Sequence, residues 1–108
     1  MSDQPKANDE LWELIRRIPK GRVASYGALG RALERPISGF LVGRAMRRCP
    51  VEIPWWRVVA RTGQLVVAKL DPVIAADQRQ RLKREKTPMT DTDTVAPEAF
   101  VDVDSLLA

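Results

Sequence analysis

The chain of 108 residues is 44% hydrophobic, carries a formal net charge of +4, and contains one cysteine and no histidine. That is room for a single domain with a modest core, and it excludes an internal disulfide, metal or triad chemistry built on histidine, and a bilayer-spanning run of roughly 20 apolar residues. All 18 Lys and Arg precede residue 87, together with nine of the 14 acids, for a net +9. The remaining residues hold five acids and no base, so residues 1–86 read as a basic domain suited to a polyanion and 87–108 as an acidic tail.

Met1 to Asn8 is polar and lacks the apolar core of a signal peptide, so a cytoplasmic location is expected. Asn8 reads as the cap of a first helix whose opening turn carries Asp9 and Glu10 at the positive end of the dipole. Leu11, Leu14, Ile15 and Ile18 recur at helical spacing, and Pro19 stops the run. Gly21 and Val23 make a short extended approach to Ser25, the cap of a second helix from about Tyr26 to Leu33 whose Leu29 and Leu33 face the core. Glu34-Arg35-Pro36 breaks that helix, and a third begins near Ile37 or Ser38 and runs through Arg48. Two short helices across a tight turn are helix-turn-helix organisation.

Cys49-Pro50 ends the third helix. Ile53 to Val59 is extended, Arg61-Thr62-Gly63 turns, and Gln64 to Val67 returns as a strand, giving a small wing. Asp71-Pro72 introduces a last helix, about Ile74 to Glu85, apolar at Ile74 and Leu82 and otherwise strongly basic. From Thr87 the chain is rich in Thr, Asp and Pro, but Phe100, Val101, Val103, Leu106 and Leu107 are able to dock on the domain, so partial order is expected.

The third helix does not suit reading of the major groove, which takes long polar side chains. Gly39 and Gly43 lie one turn apart and, with Ser38 and Ala45 nearby, leave a thin surface that can approach another backbone closely or simply permits tight helix packing. The hexapeptide Pro54-Trp55-Trp56-Arg57-Val58-Val59 places two tryptophans between a rigid proline and a cation. Core packing is the commonest fate of tryptophan, and adjacent residues of an extended segment point to opposite faces, so at most one indole is expected on a pocket side unless the loop is irregular.

This hexapeptide resembles the Pro-Cys-His-Arg-Val hallmark of the O6-alkylguanine-DNA alkyltransferases, with Trp55 where the reactive cysteine would be and Trp56 where the histidine would be. Gly21-Arg22-Val23-Ala24-Ser25-Tyr26-Gly27 and Val42-Gly43-Arg44-Ala45-Met46 match the approach to that family's DNA-binding helices and its recognition helix. The chain is therefore similar to the alkyltransferase-like proteins, relatives that bind alkylated guanine without repairing it. The resemblance runs over roughly residues 8 to 86. It implies an α/β fold, a small helix-turn-helix or winged-helix-like domain similar to the alkyltransferase C-terminal domain, and no catalytic residue, metal or cofactor.

The resemblance also implies a set of sites. Trp55, Tyr26 and the backbone around Val58 and Val59 line a lesion pocket closed by a lid at about Gly63 to Asp71; Tyr26 crowds a phosphate to promote nucleotide rotation. Gly39 and Gly43 let the third helix enter the minor groove. The family's arginine finger falls on Phe40, which either wedges between base steps or packs internally, with Arg44 one turn on as a source of charge. Arg22, Arg31 and Arg47, with Arg35 and Arg48, contact phosphates, Arg57 braces the Trp loop, and Glu85 is structural. Cys49, with no histidine to lower its pKa, reads as an inert thiol.

The implied function is recognition of O6-alkylguanine in double-stranded DNA by nucleotide flipping, with hand-off to a UvrA-type nucleotide excision repair protein. A nucleoid-associated, cytoplasmic monomer without membrane contact is expected. Three competing readings are a protein-interaction module that has lost DNA or lesion binding through Phe40, an ordinary winged-helix regulator, and an alkyltransferase using Cys49. In the first, the acidic tail covers the basic helix face.

Overall fold

The computed structural model describes residues 4–65 and 71–107, with side chains from residue 8 onward. Among these residues four α-helices, two short strands and three 3-10 turns follow one another: α1 (Gln4–Arg16), β1 (Ala24–Ser25), α2 (Tyr26–Ala32), α3 (Gly39–Met46), a turn at Trp55–Arg57, β2 (Val58–Val59), α4 (Pro72–Arg84), and turns at Pro97–Ala99 and Val103–Leu107. No helix of these residues is long and apolar enough to cross a membrane.

Helix α1 begins a turn earlier than the Asn8 cap expected from sequence. Pro5 sits in its first turn, where a fixed φ and a missing N–H cost nothing, so Asn8 lies inside the helix. Leu11, Trp12, Leu14, Ile15 and Ile18 are buried along one stripe. Ser25 caps α2 by accepting from Ala28 N at 3.1 Å, Ser38 caps α3 through Leu41 N at 3.2 Å, and Asp71 caps α4 through Val73 N and Ile74 N. Helix α3 closes at Met46 rather than Arg48, because the N–H groups of Arg47, Arg48 and Cys49 reach back three residues in tightened turns.

Helices α2 and α3 form the helix-turn-helix, and their approach requires glycine at two points. A Cβ on Gly39 would stand 3.0 Å from Gly27 N, and one on Gly30 would overlap the Ile37 carbonyl oxygen and crowd Val42. Gly30→Ala, which in an open helix would be stabilising, is therefore expected to cost about 1–3 kcal/mol, read as a lower urea midpoint with an unchanged slope.

The β element differs from a wing. Arg61-Thr62-Gly63 does turn, with Gly63 N donating to Ala60 O at 2.8 Å and Ala60 N to Gln64 O at 3.1 Å. However, Val58 and Val59 pair in parallel with Ala24 and Ser25 rather than with a returning hairpin strand. Gln64 and Leu65 are not in a strand; Val66 and Val67, the rest of the expected strand, and the lid from Val66 to Leu70 lie outside the described residues. Parallel pairing fits the sequence, since Val58 and Val59 are both apolar and both faces are covered. Alternate side chains divide two cores: Ala24 and Val58 join Leu11, Ile15, Leu29, Val42 and Ile53, while Val23 and Val59 join Leu65, Leu82, Val95 and Ala99.

Residues 87–107 pack along both cores, Val95 and Ala99 in the second and Val103 in the first. Val23 donates to Ala99 O at 3.0 Å and accepts from Val101 N at 2.9 Å, and Val95 N donates to Gly63 O at 2.8 Å. Phe100, Val101, Val103 and Leu106 pack against the two cores as expected, while Leu107 is half exposed.

Candidate functional site

Trp55 and Trp56 occupy a 3-10 turn, not an extended strand. Pro54 starts it, Arg57 N closes it on Pro54 O at 3.1 Å, and the indoles meet edge to face with centroids 6.0 Å apart. Their environments still differ. Trp56 packs against the second core and lies within cation–π distance of Arg57 (5.4 Å) and Arg81 (4.8 Å), whereas Trp55 turns to a cavity with Arg81 at 5.9 Å.

The turn is anchored by one carboxylate. Glu85, at the C-cap of α4, accepts from Arg57 Nε at 3.0 Å and Nη2 at 2.6 Å, from Trp56 Nε1 at 3.0 Å and from Gly21 N at 3.4 Å. The third arm of Arg57, Nη1, reaches Ile18 O at 2.8 Å. Burial by itself pushes the Glu85 carboxyl up, but the donors from Arg57, Trp56 and Gly21 and the Arg57 charge outweigh it and hold the pKa below its ordinary value. Arg57 thus braces the loop, and Glu85 is fully engaged in structure.

A cavity of about 780 Å³ opens beside Trp55, walled chiefly by α3 and α4. Of the residues singled out in the sequence, Trp55, Tyr26 and Val58 line it, as do Gly39, Phe40, Gly43, Arg44 and Arg47 from α3. Val59 faces the opposite core. Arg22 is held by the carbonyls of Ala99 and Phe100, at 3.2 and 3.5 Å, and Arg31 is exposed on α2; neither lines the cavity.

Phe40 does not pack internally: it is 74% exposed on the rim. The two glycines of α3 have different roles, for Gly39 is pressed on Gly27 while a Cβ at Gly43 would meet nothing within 4 Å. Burial raises the Tyr26 pKa, keeping its hydroxyl protonated. Arg44 also walls, with Asn8 and Arg48, a second hollow of about 310 Å³.

Helix α4 supplies a wall that sequence reasoning missed, with Ile74, Asp77, Gln78 and Arg81. One signal was available: Gln78 shares the buried stripe of Ala75 and Leu82, and a polar residue on such a stripe must find partners. Cys49 also lines the cavity, but burial, then Glu52, push its thiol up to about 11 against a smaller pull from Arg16, so at neutral pH it is not a thiolate. Among the described residues no group of three or more His, Cys, Asp or Glu side chains is placed to hold a metal. The tail's Asp93 pairs with Arg79 and Lys83 of α4.

Residues 6–87 match the family model of the 6-O-methylguanine DNA methyltransferase DNA-binding domain. Relatives include a DNA base-flipping protein of Thermus thermophilus, 46% identical over 51% of this chain and 37% of its own length. A DNA base-flipping protein of Vibrio parahaemolyticus is 27% identical over 81% of this chain and 86% of its own, and alkyltransferase-like protein 1 of Schizosaccharomyces pombe 32% identical over 71% and 70%. The chain thus spans little more than a third of the Thermus relative but most of the other two. The fold is similar to that of S. pombe Atl1 crystallised with damaged DNA containing O6-carboxymethylguanine, with a TM-score of 0.77, 24% identity, and coverage of 89% of this chain and 94% of that one.

Proposed function

The chain belongs to the family of the 6-O-methylguanine DNA methyltransferase DNA-binding domain, among its alkyltransferase-like members, and from that premise we propose that it is a non-enzymatic sensor of O6-alkylguanine in double-stranded DNA. The observation that carries this reading is Trp55: an indole lines the cavity at the position of the family's nucleophile. A flipped base stacks on that indole, and O6-alkylation strengthens binding because it adds apolar surface without charge. The protonated thiol of Cys49 supports the absence of alkyl transfer.

In this reading α3 enters the minor groove at the open face around Gly43, and exposed Phe40 wedges into the stack. Arg44, Arg47 and Arg48 hold phosphates and make binding salt-dependent. Residues 1–86 carry the DNA-binding function, as a monomer associated with the nucleoid, and a UvrA-type excision-repair protein receives the bent complex.

The test is fluorescence anisotropy on matched duplexes containing guanine or O6-methylguanine, at two salt concentrations, with intact-mass analysis afterwards. Tighter binding to the lesion, a weaker affinity at high salt and no mass gain are expected. Phe40→Ala should weaken lesion binding roughly tenfold, since unstacking a base step costs a few kcal/mol and the wedge supplies part of it. Equal affinity for both duplexes would sink the sensor, and a covalent mass increase would return the protein to the enzymes.

A further inference from the structure

Arg44, Arg47 and Arg48 stand together at the end of α3, yet they do not share one surface. Arg47 lines the cavity, Arg48 lines the second hollow of about 310 Å³, and Arg44 lines both. Arg44 is therefore the ridge between the two. Ala45 and Asn8 complete the hollow, and Asn8 is available there because α1 begins a turn before it and leaves it no capping role. The volume is about ten times the share of one water in the liquid, room for a tetrahedral anion with some of its waters.

The walls of the hollow offer donors and no acid. Among the described residues neither Arg44 nor Arg48 forms an ion pair, while Glu13 is shared by Arg16 and Arg17 at 3.6 Å and Glu10 accepts from Glu34 N at 2.8 Å. The carbonyls that end α3 are engaged as well: Arg44 O by Arg47 N, Ala45 O by Arg48 N, and Met46 O by Cys49 N. Two guanidinium groups four residues apart repel each other, and an anion seated between them turns that repulsion into attraction. Guanidinium forks match the oxygens of a phosphate, and the asparagine amide adds a neutral donor. The position of Arg44 decides which phosphate this is. A strand whose base lies in the cavity has its backbone at the cavity rim, and Arg44 makes that rim the edge of the hollow too.

We propose that Asn8, Arg44 and Arg48 form a phosphate seat for the strand that carries the extruded nucleotide, beside the cavity but separate from it. The assignment rests on the sensor reading above and brings α1 into the binding surface. The seat reads no base. It fixes the register of the strand, so that the nucleotide standing at the mouth of the cavity is the one turned out.

The experiment places a methylphosphonate linkage, in which a methyl group replaces one charged oxygen, at successive positions along each strand of an O6-methylguanine duplex. Anisotropy is read for the parent, Arg48→Gln and Asn8→Ala, and thermal midpoints report the fold of both variants. Neutralising one linkage of the modified strand should weaken the parent roughly tenfold, the scale of one charge-assisted hydrogen bond. In Arg48→Gln the same linkage should cost little further, because its partner is already gone, and Asn8→Ala should fall between, while the other sensitive linkages keep their full effect. The salt slope of Arg48→Gln should be smaller by about one. Preference for O6-methylguanine over guanine with no linkage coupled to Arg48 and Asn8 overturns the seat alone, as does coupling confined to the unmodified strand. Inorganic phosphate at constant ionic strength that displaces DNA from the parent but not from Arg48→Gln, with no linkage coupled, makes the hollow a site for free anions and overturns the seat likewise. Coupling without preference for O6-methylguanine overturns the sensor reading and leaves the seat as a contact to undamaged DNA.

Discussion

Replacing Arg57 by alanine should destabilise the protein by about 3–5 kcal/mol, the cost of leaving a buried charge without its partner. The side chains of Arg57 and Glu85 are only 10% and 12% exposed, so the modest worth of surface ion pairs does not apply. Removing the guanidinium also frees Ile18 O and leaves Glu85 with Trp56 Nε1 and Gly21 N alone. Urea denaturation reads the change, and a loss below about 1 kcal/mol would mean that water already screens the pair.

The same carboxylate gives a pH signature. Because the folded pKa of Glu85 lies below its ordinary value near 4.5, its contribution is full above that value and is lost as pH falls through the folded one. Glu85→Gln should therefore be less stable than the parent at neutral pH, with the two curves converging in acid. Parallel curves from neutral to acid pH would contradict the linkage.

Trp55→Ala should weaken binding to an O6-methylguanine duplex by about 1–3 kcal/mol, roughly 5- to 150-fold, while changing affinity for the unmodified duplex little. The indole lines the cavity and belongs to neither buried cluster, so the variant should fold normally. Trp56→Ala is the matched control with the opposite profile. It removes the donor to Glu85 and the ring beside two guanidinium groups, and should lower stability first. Anisotropy titrations beside melting curves distinguish the two, and equal lesion affinity for the parent and Trp55→Ala would remove Trp55 from the binding surface.

What could be read from the sequence followed from local chemistry. Ser25, Ser38 and Asp71 cap helices wherever they stand, because the groups they satisfy lie two or three residues away. The stripe of α1 and the turn at Gly63 are equally local. The partner of Val58–Val59 was not legible, since pairing with Ala24–Ser25 is decided by how α2 and α3 pack between them. Nor was the 3-10 turn at Trp55–Arg57, which is fixed by Glu85 nearly thirty residues on. At the site, the motif located Trp55, Tyr26 and the α3 residues, but the α4 wall carries no motif. Gln78 stood out only as a polar residue on an apolar stripe, and Arg81 as one base among many.

The split of the core by the short parallel strands also bears on synthesis. The first cluster draws on residues between Leu11 and Ile53, with Val58 and Val103 added, so most of it is available early on the ribosome. The second spans Val23 to Ala99, and Val23 finds both backbone partners only in Ala99 and Val101. A nascent chain that has emerged as far as α3 can assemble the helix-turn-helix, but Val23 stays unpaired until Ala99 and Val101 have been translated as well, a long-range closure of the kind that slows folding. Over that interval the backbone N–H and C=O of Val23, just ahead of β1, are left to water.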